Sequence, residues 1–201
     1  MIVIAALVVA GSLLTEAGQK CTGNPRMYHG KKCASTTRYV GYRMGACGCG
    51  TPNNDTMFPW SKTGWAVAAN QALFDAGGAK WCGQSCGKCV KLTTTGGFVD
   101  GQGHAPAENQ SHVFMITNLC PNTYPNLSWC SQQASNGGVN QYGYGWHFDL
   151  ENANNQITGM DWGNPEVTWE WADCDAGHAH DSRTPSNSNY HTCQCGHHGK
   201  K

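Results

Sequence analysis

The stretch Tyr142–Leu150, which reads YGYGWHFDL, brings together glycines, aromatic side chains, a histidine and one carboxylic acid. Glycines allow the backbone to approach a ligand closely. On a β-strand alternate side chains point to opposite faces, so Phe148 should face a core while His147 and Asp149 face a groove. Burial beside aromatic surface raises the pKa of a carboxyl group, which can then donate a proton near neutral pH. The stretch predicts a strand with Asp149 as a proton donor; the alternative is a buried strand in which Asp149 caps a turn or forms a salt bridge.

The composition of the whole chain favours a single domain that binds a neutral ligand. The chain has 201 residues, a formal net charge of zero and only 13% charged residues, so it lacks the basic surface expected of a nucleic-acid partner. Its 26 glycines and eight tryptophans indicate many loops and flat apolar faces. Sugar rings pack their C–H faces on aromatic rings, so carbohydrate is the favoured ligand class. Trp146 is a candidate sugar platform, with packing in the core as the alternative.

Residues 1–18 have the features of a secretory signal peptide. The apolar run Ile2–Ala10 is followed by small residues and a cleavage site at Thr15–Ala17, although no Lys or Arg precedes the run. The run is too short and too interrupted to span a membrane. We therefore predict a secreted protein, with no membrane partner, whose mature domain comprises residues 19–201.

Twelve cysteines follow the signal segment. An even number in a secreted chain predicts six disulfides. The alternative is a structural metal site, because Cys86 lies close to Cys89, and Cys193 and Cys195 lie close to histidines. The sequence does not reveal which cysteines pair.

Hydrophobic patterns predict one helix and several short strands. The helix is Thr63–Ala76, in which a tryptophan, a leucine and several alanines recur at helical spacing before a pair of glycines. Besides Tyr142–Leu150, the predicted strands are Ser35–Val40, Val90–Thr95, His112–Asn118 and Val167–Ala172. We expect the strands Val90–Thr95 and His112–Asn118 to pair.

The last part of the chain completes this outline. Trp169 and Trp171 share one face of their strand and are assigned to the core. The segment Gly177–Lys201 is polar and rich in histidine, and we predict a tail held only by Cys193 and Cys195. Short strands, one helix and long loops together indicate a mostly-β single domain built as a barrel.

Several segments resemble glycoside hydrolase family 45. The sequence STTRY at Ser35–Tyr39, followed by GACGCG, is similar to that family's T-R-Y signature, and HFDL at His147–Leu150 is similar to the segment that bears its general acid. The intervening WCGQSCGKC and MITNLCP segments fit the same order, and NPEVTWE at Asn164–Glu170 resembles the branch found in invertebrate animals. The similarity spans roughly residues 21–195.

This resemblance implies a fold and an activity. It implies a six-stranded double-psi β-barrel with long disulfide-stapled loops, one or a few helices and an open cleft. It implies a monomer that hydrolyses internal β-1,4 bonds of cellulose or a related β-glucan with inversion, and that needs neither cofactor nor metal. Inversion requires an acid and a base roughly 6.5–9.5 Å apart. By position in the family pattern Asp149 is the acid.

One departure from the family pattern concerns the base. The family places an aspartate two residues after the tyrosine of T-R-Y, and here that position is Gly41. Branches of the family that lack this aspartate use an asparagine to position water, which makes Asn126 the first candidate and Asn118 the next, followed by Asp55. Asn126 also begins a glycosylation sequon, and a glycan there would exclude the role.

The remaining site residues follow from the two signature segments. Thr37 and Tyr39 should line the cleft, with core packing as the alternative. His147 should form a hydrogen bond near Asp149 and tune it, with a structural histidine as the alternative.

Three functions compete for the chain. The leading hypothesis is a secreted endo-β-1,4-glucanase. The second is a non-hydrolytic, expansin-like glucan-binding protein, because Gly41 cannot accept a proton. The third, a disulfide-rich structural or defence protein, is permitted by the cysteines but not favoured by the two signature segments.

Overall fold

The structure is a computed structural model that describes residues 18–197 except 105, 133, 134 and 136. All but the last residue of the predicted signal segment lies outside the described residues. None of the helices in the described part has the length and apolar character that a membrane crossing demands.

Nine strands and six short helices occur in the described residues, together with a 3-10 turn at Thr158–Met160. The strands are β1 (Met27–Tyr28), β2 (Lys31–Tyr39), β3 (Gly50–Thr51), β4 (Thr56–Met57), β5 (Ala66–Asn70), β6 (Cys89–Phe98), β7 (Ser111–Cys120), β8 (His147–Glu151) and β9 (Pro165–Ala172). The helices are α1 (Pro59–Thr63), α2 (Gln71–Phe74), α3 (Leu127–Cys130), α4 (Cys174–His180), α5 (Asn187–Tyr190) and α6 (Gln194–His197).

Six strands form a closed ring. Their order is β2, β8, β5, β7, β6 and β9, and β9 pairs back onto β2. The pairs β2–β8 and β5–β7 are parallel, and the other pairs of the ring are antiparallel. Closure leaves no free strand edge within the ring. The predicted mostly-β, six-stranded barrel is confirmed.

Alternation along β8 separates the core from the candidate site. Phe148 and Leu150 are buried in the main hydrophobic cluster together with Val67 and Ala69 of β5. The odd-numbered side chains of β8 point the other way, as the pleat of a strand requires. The prediction that Phe148 faces the core is therefore confirmed, but His147 on the opposite face is itself fully buried and only Asp149 is partly exposed.

The strand that carries Asp149 is shorter than predicted. It begins at His147, and the glycine-rich residues before it form turns around Asn140. The Asn140 Oδ1 atom accepts hydrogen bonds from the backbone N–H groups of Tyr142 and Tyr144, at 3.1 and 3.0 Å. A local side-chain hydrogen bond of this kind competes with the strand ladder, so the ladder starts only after it.

The other strand predictions are confirmed, and the strands are longer in the structure, except that β2 ends at Tyr39 and leaves out Val40. The predicted pair Val90–Thr95 and His112–Asn118 lies in β6 and β7, which run antiparallel with Val90 opposite Phe114. One assignment on β9 is wrong: Trp169 is buried, but Trp171 is 49% exposed.

The predicted helix Thr63–Ala76 is wrong. Helix α1 ends at Thr63, Gly64 is extended, and Ala66–Asn70 is strand β5, followed by the single turn α2. All five residues of β5 are buried, because the strand lies between β7 and β8 in the ring. A fully buried strand has no polar face, so a short apolar run does not distinguish it from a buried helix.

The predicted polar tail is also corrected over its described part. Helices α4, α5 and α6 cover most of residues 174–197 and pack on the barrel. The Asp173 side chain caps α4 through the Ala176 N–H at 2.8 Å, and the Thr184 hydroxyl donates to the Val113 carbonyl at 2.9 Å. Short polar helices of this kind depend on tertiary contacts, which composition alone does not show.

All twelve cysteines form disulfides, as predicted. The pairs are Cys21–Cys33, Cys47–Cys86, Cys49–Cys193, Cys82–Cys195, Cys89–Cys174 and Cys120–Cys130. The closely spaced cysteines of the alternative metal site each pair with a distant partner, so they offer no thiolate to a metal.

Candidate active site

A row of four residues crosses the outer face of the barrel wall. Thr37 on β2 lies opposite Asp149 on β8, which lies opposite Ala68 on β5, which lies opposite Asn118 on β7. Residues in register point to the same face of a sheet, and neighbouring strands lie about 4.8 Å apart. Asp149 and Asn118 are therefore about 10 Å apart at their Cα atoms, with only the methyl group of Ala68 between them. Along this row, which we call the floor of the candidate site, Thr37, Asp149 and Asn118 are partly exposed, whereas Ala68 is buried beside Cys120 and Cys130.

Asp149 has the properties of a proton donor. Its side chain is half-buried, and the Thr37 hydroxyl donates a hydrogen bond to Asp149 Oδ1 at 2.6 Å. Burial raises the pKa of Asp149 to about 6, against the smaller lowering effect of the Thr37 hydrogen bond. The carboxyl group therefore stays protonated in mildly acidic solution.

Thr37 connects Asp149 to His147. The Thr37 hydroxyl lies 3.0 Å from His147 Nε2, and His147 Nδ1 lies 2.9 Å from the Ser35 hydroxyl. The Asn140 amide donates to that same Ser35 oxygen at 3.0 Å. Burial lowers the pKa of His147 to about 3, so the ring is neutral.

The directions of these hydrogen bonds can be assigned. A hydroxyl has one proton, and Thr37 gives it to Asp149, so Thr37 must accept from His147. The ring proton is therefore on Nε2, and Nδ1 accepts from Ser35. Because Thr37 already occupies Asp149 Oδ1, the acidic proton of Asp149 belongs on Oδ2. The predicted influence of His147 on Asp149 acts through Thr37.

Asn118 and Tyr39 form a second group on the same face. Asn118 Oδ1 accepts from the backbone N–H groups of Ala46 and Leu119, at 2.8 and 2.9 Å, and its amide faces the Tyr39 hydroxyl at 3.5 Å. An amide oxygen has two lone pairs, so that of Asn118 has none left to orient a water molecule. Burial raises the pKa of Tyr39 well above its usual range, which keeps the phenol neutral.

Asn126 begins the helix that covers the other end of the floor. It is the N-cap residue of α3, and its side chain makes no capping hydrogen bond. Trp129 of α3 lies 5.6 Å from the His147 ring and accepts a hydrogen bond from Asn140 through its carbonyl at 2.9 Å. The disulfide between Cys120 of β7 and Cys130 fixes α3 to the barrel. Helix α3 is thus held close to His147, and the Asn126 side chain does not cap it.

Two other predicted residues are not brought to Asp149. Trp146 packs against Trp169 at 5.5 Å, on the Phe148 side of β8, and Lys32 lies 5.0 Å above its ring. Of its two predicted roles the structure favours core packing. Asp55 accepts from the Met44 backbone at 3.3 Å in the hairpin of β3 and β4 and pairs with Arg43, so it serves a turn.

Glu151 is a residue of the site that the sequence analysis missed. It follows Asp149 by two residues on β8, and its Oε1 atom accepts from the Gly41 and Ala153 N–H groups at 3.0 and 2.9 Å. A Cβ atom at Gly41 would overlap Glu151 Oε2 and lie 2.8 Å from the Met57 methyl group. The position that holds the base in the family pattern is therefore occupied by Glu151. Extending the alternation of the predicted strand one residue past Leu150 would have found it.

One set of potential metal ligands occurs in the described part of the chain. The ligand atoms of Cys120, Cys130 and His147 lie within 4.8 Å of one another. The two cysteines form a disulfide, so they do not provide the thiolates that a metal would need.

The sequence of this chain matches a known domain family and is similar to two known endoglucanases. Residues 34–179 match the domain family described as EXPB1-like domain 1. The chain is 58% identical over 179 residues to an endoglucanase of Mytilus edulis, and the match covers 89% of this chain and 99% of that protein. It is 47% identical over 131 residues to endoglucanase-5 of Hypocrea jecorina, a match that covers 63% of this chain and 51% of the relative.

Solved structures extend the similarity to the fold. The β-1,4-D-endoglucanase Cel45A of the blue mussel superposes with a TM-score of 0.85 at 58% identity, over 89% of this chain and 99% of that one. The GH45 endoglucanase EG27II, solved with cellobiose, superposes with a TM-score of 0.76 at 41% identity, over 89% and 98%. These matches extend over most of the described chain.

Proposed function

The chain belongs to glycoside hydrolase family 45, and on this premise we propose that it is an endo-β-1,4-glucanase acting on internal bonds of cellulose or related β-glucans. The observation that carries the proposal is the half-buried Asp149 on the floor of the groove, with a raised pKa and an oxygen left free for its proton. A glycosidic oxygen becomes a leaving group only when it is protonated as the bond breaks.

Asp149 is the general acid in this proposal. Its Oδ2 proton is given to the leaving oxygen, while Thr37 and His147 fix the other carboxyl oxygen and the plane of the group. The neutral His147 can hold Thr37 in place without drawing a proton from the acid. This arrangement orients the proton before the substrate arrives.

Water activation is the second requirement of an inverting mechanism. Asn126 remains our candidate for positioning that water, because α3, which it begins, is held close to His147 and the Asn126 amide makes no cap bond. Asn118 is less suitable, since its carbonyl oxygen is already used twice by backbone N–H groups. Inversion itself is part of the proposal.

Exposed aromatic side chains near β2 and α3 support a polymeric substrate. Tyr42, just after β2, is 67% exposed, and Tyr124, just before α3, is 87% exposed. Helix α3 is tied to the end of β7 by the Cys120–Cys130 disulfide. Both present flat faces on which glucose rings can pack.

The disulfides and the signal segment support an extracellular location. Six disulfides form and persist in oxidising compartments, and residues 1–18 have the features of a secretory signal. We therefore place the protein outside the cell. The groove is built from one chain, which fits the monomer that the sequence predicts.

The test is hydrolysis by the mature protein with residue 149 changed. Asp149→Asn keeps the shape and removes the proton donor, so release of reducing ends from carboxymethyl cellulose and from a β-1,3-1,4-glucan should fall by about 10²–10⁴-fold. Asp161→Asn is the control, because it makes the same change at a carboxylate that is 82% exposed. Equal activity of the Asp149→Asn variant and the native protein would refute the assignment.

A second function is kept because of Gly41. An expansin-like protein would bind cellulose and release no soluble product on long incubation. If the native protein binds without cutting, the expansin-like function replaces the hydrolase; if it cuts, a group other than residue 41 serves the water, and Asn126→Ala should then abolish cutting.

A further inference from the structure

Glu151 is a buried acid to which the mechanism above gives no role. It is fully buried and points to the same face of β8 as Asp149. Two residues along a strand span about 6.7 Å, so the two carboxyl groups are neighbours in a region of low dielectric.

The hydrogen bonding of Glu151 is incomplete. Its Oε1 atom accepts two backbone hydrogen bonds, but its Oε2 atom is buried with no partner. Glu166 is equally buried, and both of its oxygens accept hydrogen bonds, from the backbone of Cys21 and from the Tyr144 hydroxyl among others. A buried acceptor without a partner costs stability, so a structural role of the Glu166 kind does not explain Glu151.

The two neighbouring carboxyl groups differ in the hydrogen bonds that stabilise their ionised forms. Glu151 accepts from two backbone N–H groups, whereas Asp149 accepts from one hydroxyl. Burial raises the pKa of Glu151, but the Gly41 and Ala153 N–H groups and the Tyr39 side chain oppose that rise. These donors favour the charged form, so the first negative charge of the pair is assigned to Glu151. A second charge beside it is disfavoured, and the proton therefore stays on Asp149.

Among the residues that the structure describes, we find no other charge in contact with the pair that disturbs this division. β2 presents the neutral Tyr39, which is in register with Glu151, and Thr37. β5 presents Ala68, and no residue of β5 is titratable. The hairpin of β3 and β4 presents Met57, while its own Asp55 pairs with Arg43. On β8 itself the remaining titratable group is His147, which is neutral.

We propose that Glu151 is a positioning residue for the acid: as an anion beneath the groove it keeps the proton on Asp149. The inference rests on the proposed function, in which Asp149 is the proton donor. Gly41 belongs to the same arrangement, because any side chain at residue 41 would displace the Glu151 carboxylate that its own N–H helps to hold.

The first test compares pH profiles of kcat/KM on a soluble β-glucan. In Glu151→Gln, which keeps the shape and removes the charge, the basic limb should move to lower pH by about one unit, since Asp149 then loses its proton more easily. Glu170→Gln is the matched control: it removes a charge from an exposed glutamate on β9, and its limb should not move. If the basic limb of kcat/KM lies at the same pH in Glu151→Gln as in the native protein, the proposal is overturned.

The second test needs no activity. Carbon-13 NMR follows the titration of each carboxyl group, and Asp149 should titrate at lower pH in Glu151→Gln than in the native protein; an unchanged midpoint overturns the proposal. If that variant does not fold, the native protein alone decides, because Glu151 must titrate below Asp149, and the reverse order overturns the inference. If the native protein cuts no glucan at any pH, the proposed function is refuted. The titration still measures whether Glu151 keeps the proton on Asp149, so the two failures can be distinguished.

Discussion

At the scale of single residues, Thr37 determines how Asp149 holds its proton. One hydroxyl contacts both the acid and the neutral His147, and its single proton fixes the direction of every hydrogen bond from Asn140 to Asp149. The same geometry leaves only Asp149 Oδ2 to face a substrate. Thr37 belongs to the T-R-Y segment, so that segment contributes to the acid as well as to the cleft.

Replacing Thr37 by Val should make Asp149 a weaker acid. The Thr37 hydrogen bond lowers the pKa of Asp149, so its loss should raise that pKa above about 6 and move the basic limb of kcat/KM to higher pH. The value at the optimum should fall about tenfold, because the carboxyl group is less well oriented. The direction is opposite to that expected for Glu151→Gln. Thr56→Val, at an exposed hairpin, is the control, and a limb that stays in place would contradict the hydrogen-bond assignment.

Gly41 is required by space rather than by backbone conformation. In Gly41→Ala the new methyl group would collide with Glu151 and crowd Met57, so the free energy of unfolding should fall by about 1–3 kcal/mol. Urea denaturation measures this change. Gly159→Ala provides the comparison, because an added Cβ there has no atom within 4 Å. Equal stability of the two variants would show that Glu151 can move aside.

At the scale of elements, β5 and α3 build the floor and its edge. β5 supplies Ala68, whose small side chain leaves room for Cys120 and Cys130 to pack over it. The burial of β5 on both sides explains why its alanines form a strand. α3 is a single turn that cannot be stable alone and is held by the Cys120–Cys130 disulfide.

Removing the Cys120–Cys130 disulfide should therefore affect catalysis as well as stability. Replacing both cysteines by Ala opens a 10-residue loop, and the chain-entropy argument gives a loss of about 3 kcal/mol. The Cys21–Cys33 pair closes a loop of similar length, 12 residues, and is the matched control. Both double variants should lose similar thermal stability, but only the Cys120 and Cys130 variant should lose kcat at a temperature where both are folded. Equal kcat in the two would mean that α3 and Asn126 do not serve the reaction.

At the scale of the whole molecule, closure of the ring and the returning C-terminal segment hold the groove in shape. The disulfides Cys49–Cys193 and Cys82–Cys195 join positions 144 and 113 residues apart. They tie the end of the chain at α6 to the loops that contain Cys49 and Cys82, while Cys89–Cys174 ties α4 directly to β6. The buried acid, however, weakens this fold at high pH.

Asp149 should give the native protein a characteristic dependence of stability on pH. The pKa of Asp149 is about 6 in the folded protein, against an unperturbed value of 3.8 that applies to the unfolded chain. Between pH 3.8 and pH 6 the folded state therefore binds more protons than the unfolded state, and the free energy of unfolding falls as the pH rises. Asp149→Asn has no such charge to bury. We compare the free energy of unfolding of this variant with that of the native protein at each pH. The variant's advantage should be larger by about 1–3 kcal/mol at pH 7 than at pH 4. Denaturant titrations at the two pH values measure the difference, and a pH-independent difference would contradict the raised pKa.

The sequence identified Asp149 as a candidate proton donor and predicted most strands of the barrel. It assigned the wrong structure to segments in which polar and apolar residues do not alternate. The alternation around Phe148 correctly assigned that residue to the core, and the paired strands β6 and β7 followed from their own patterns. The run Thr63–Ala76 failed because small apolar residues fit a buried strand as well as a helix. The tail failed because its polar residues gain their order from contacts with the barrel.

The sequence by itself therefore determined the barrel class and the disulfide-rich character and made Asp149 the candidate acid, since each depends on local pattern or on residue type. Tertiary structure alone decided which cysteines pair, that Thr37 and His147 orient the acid, and that Glu151 occupies the space at Gly41. These contacts join residues about 110 positions apart, and their pairing follows from strand register, which arises only when the ring closes.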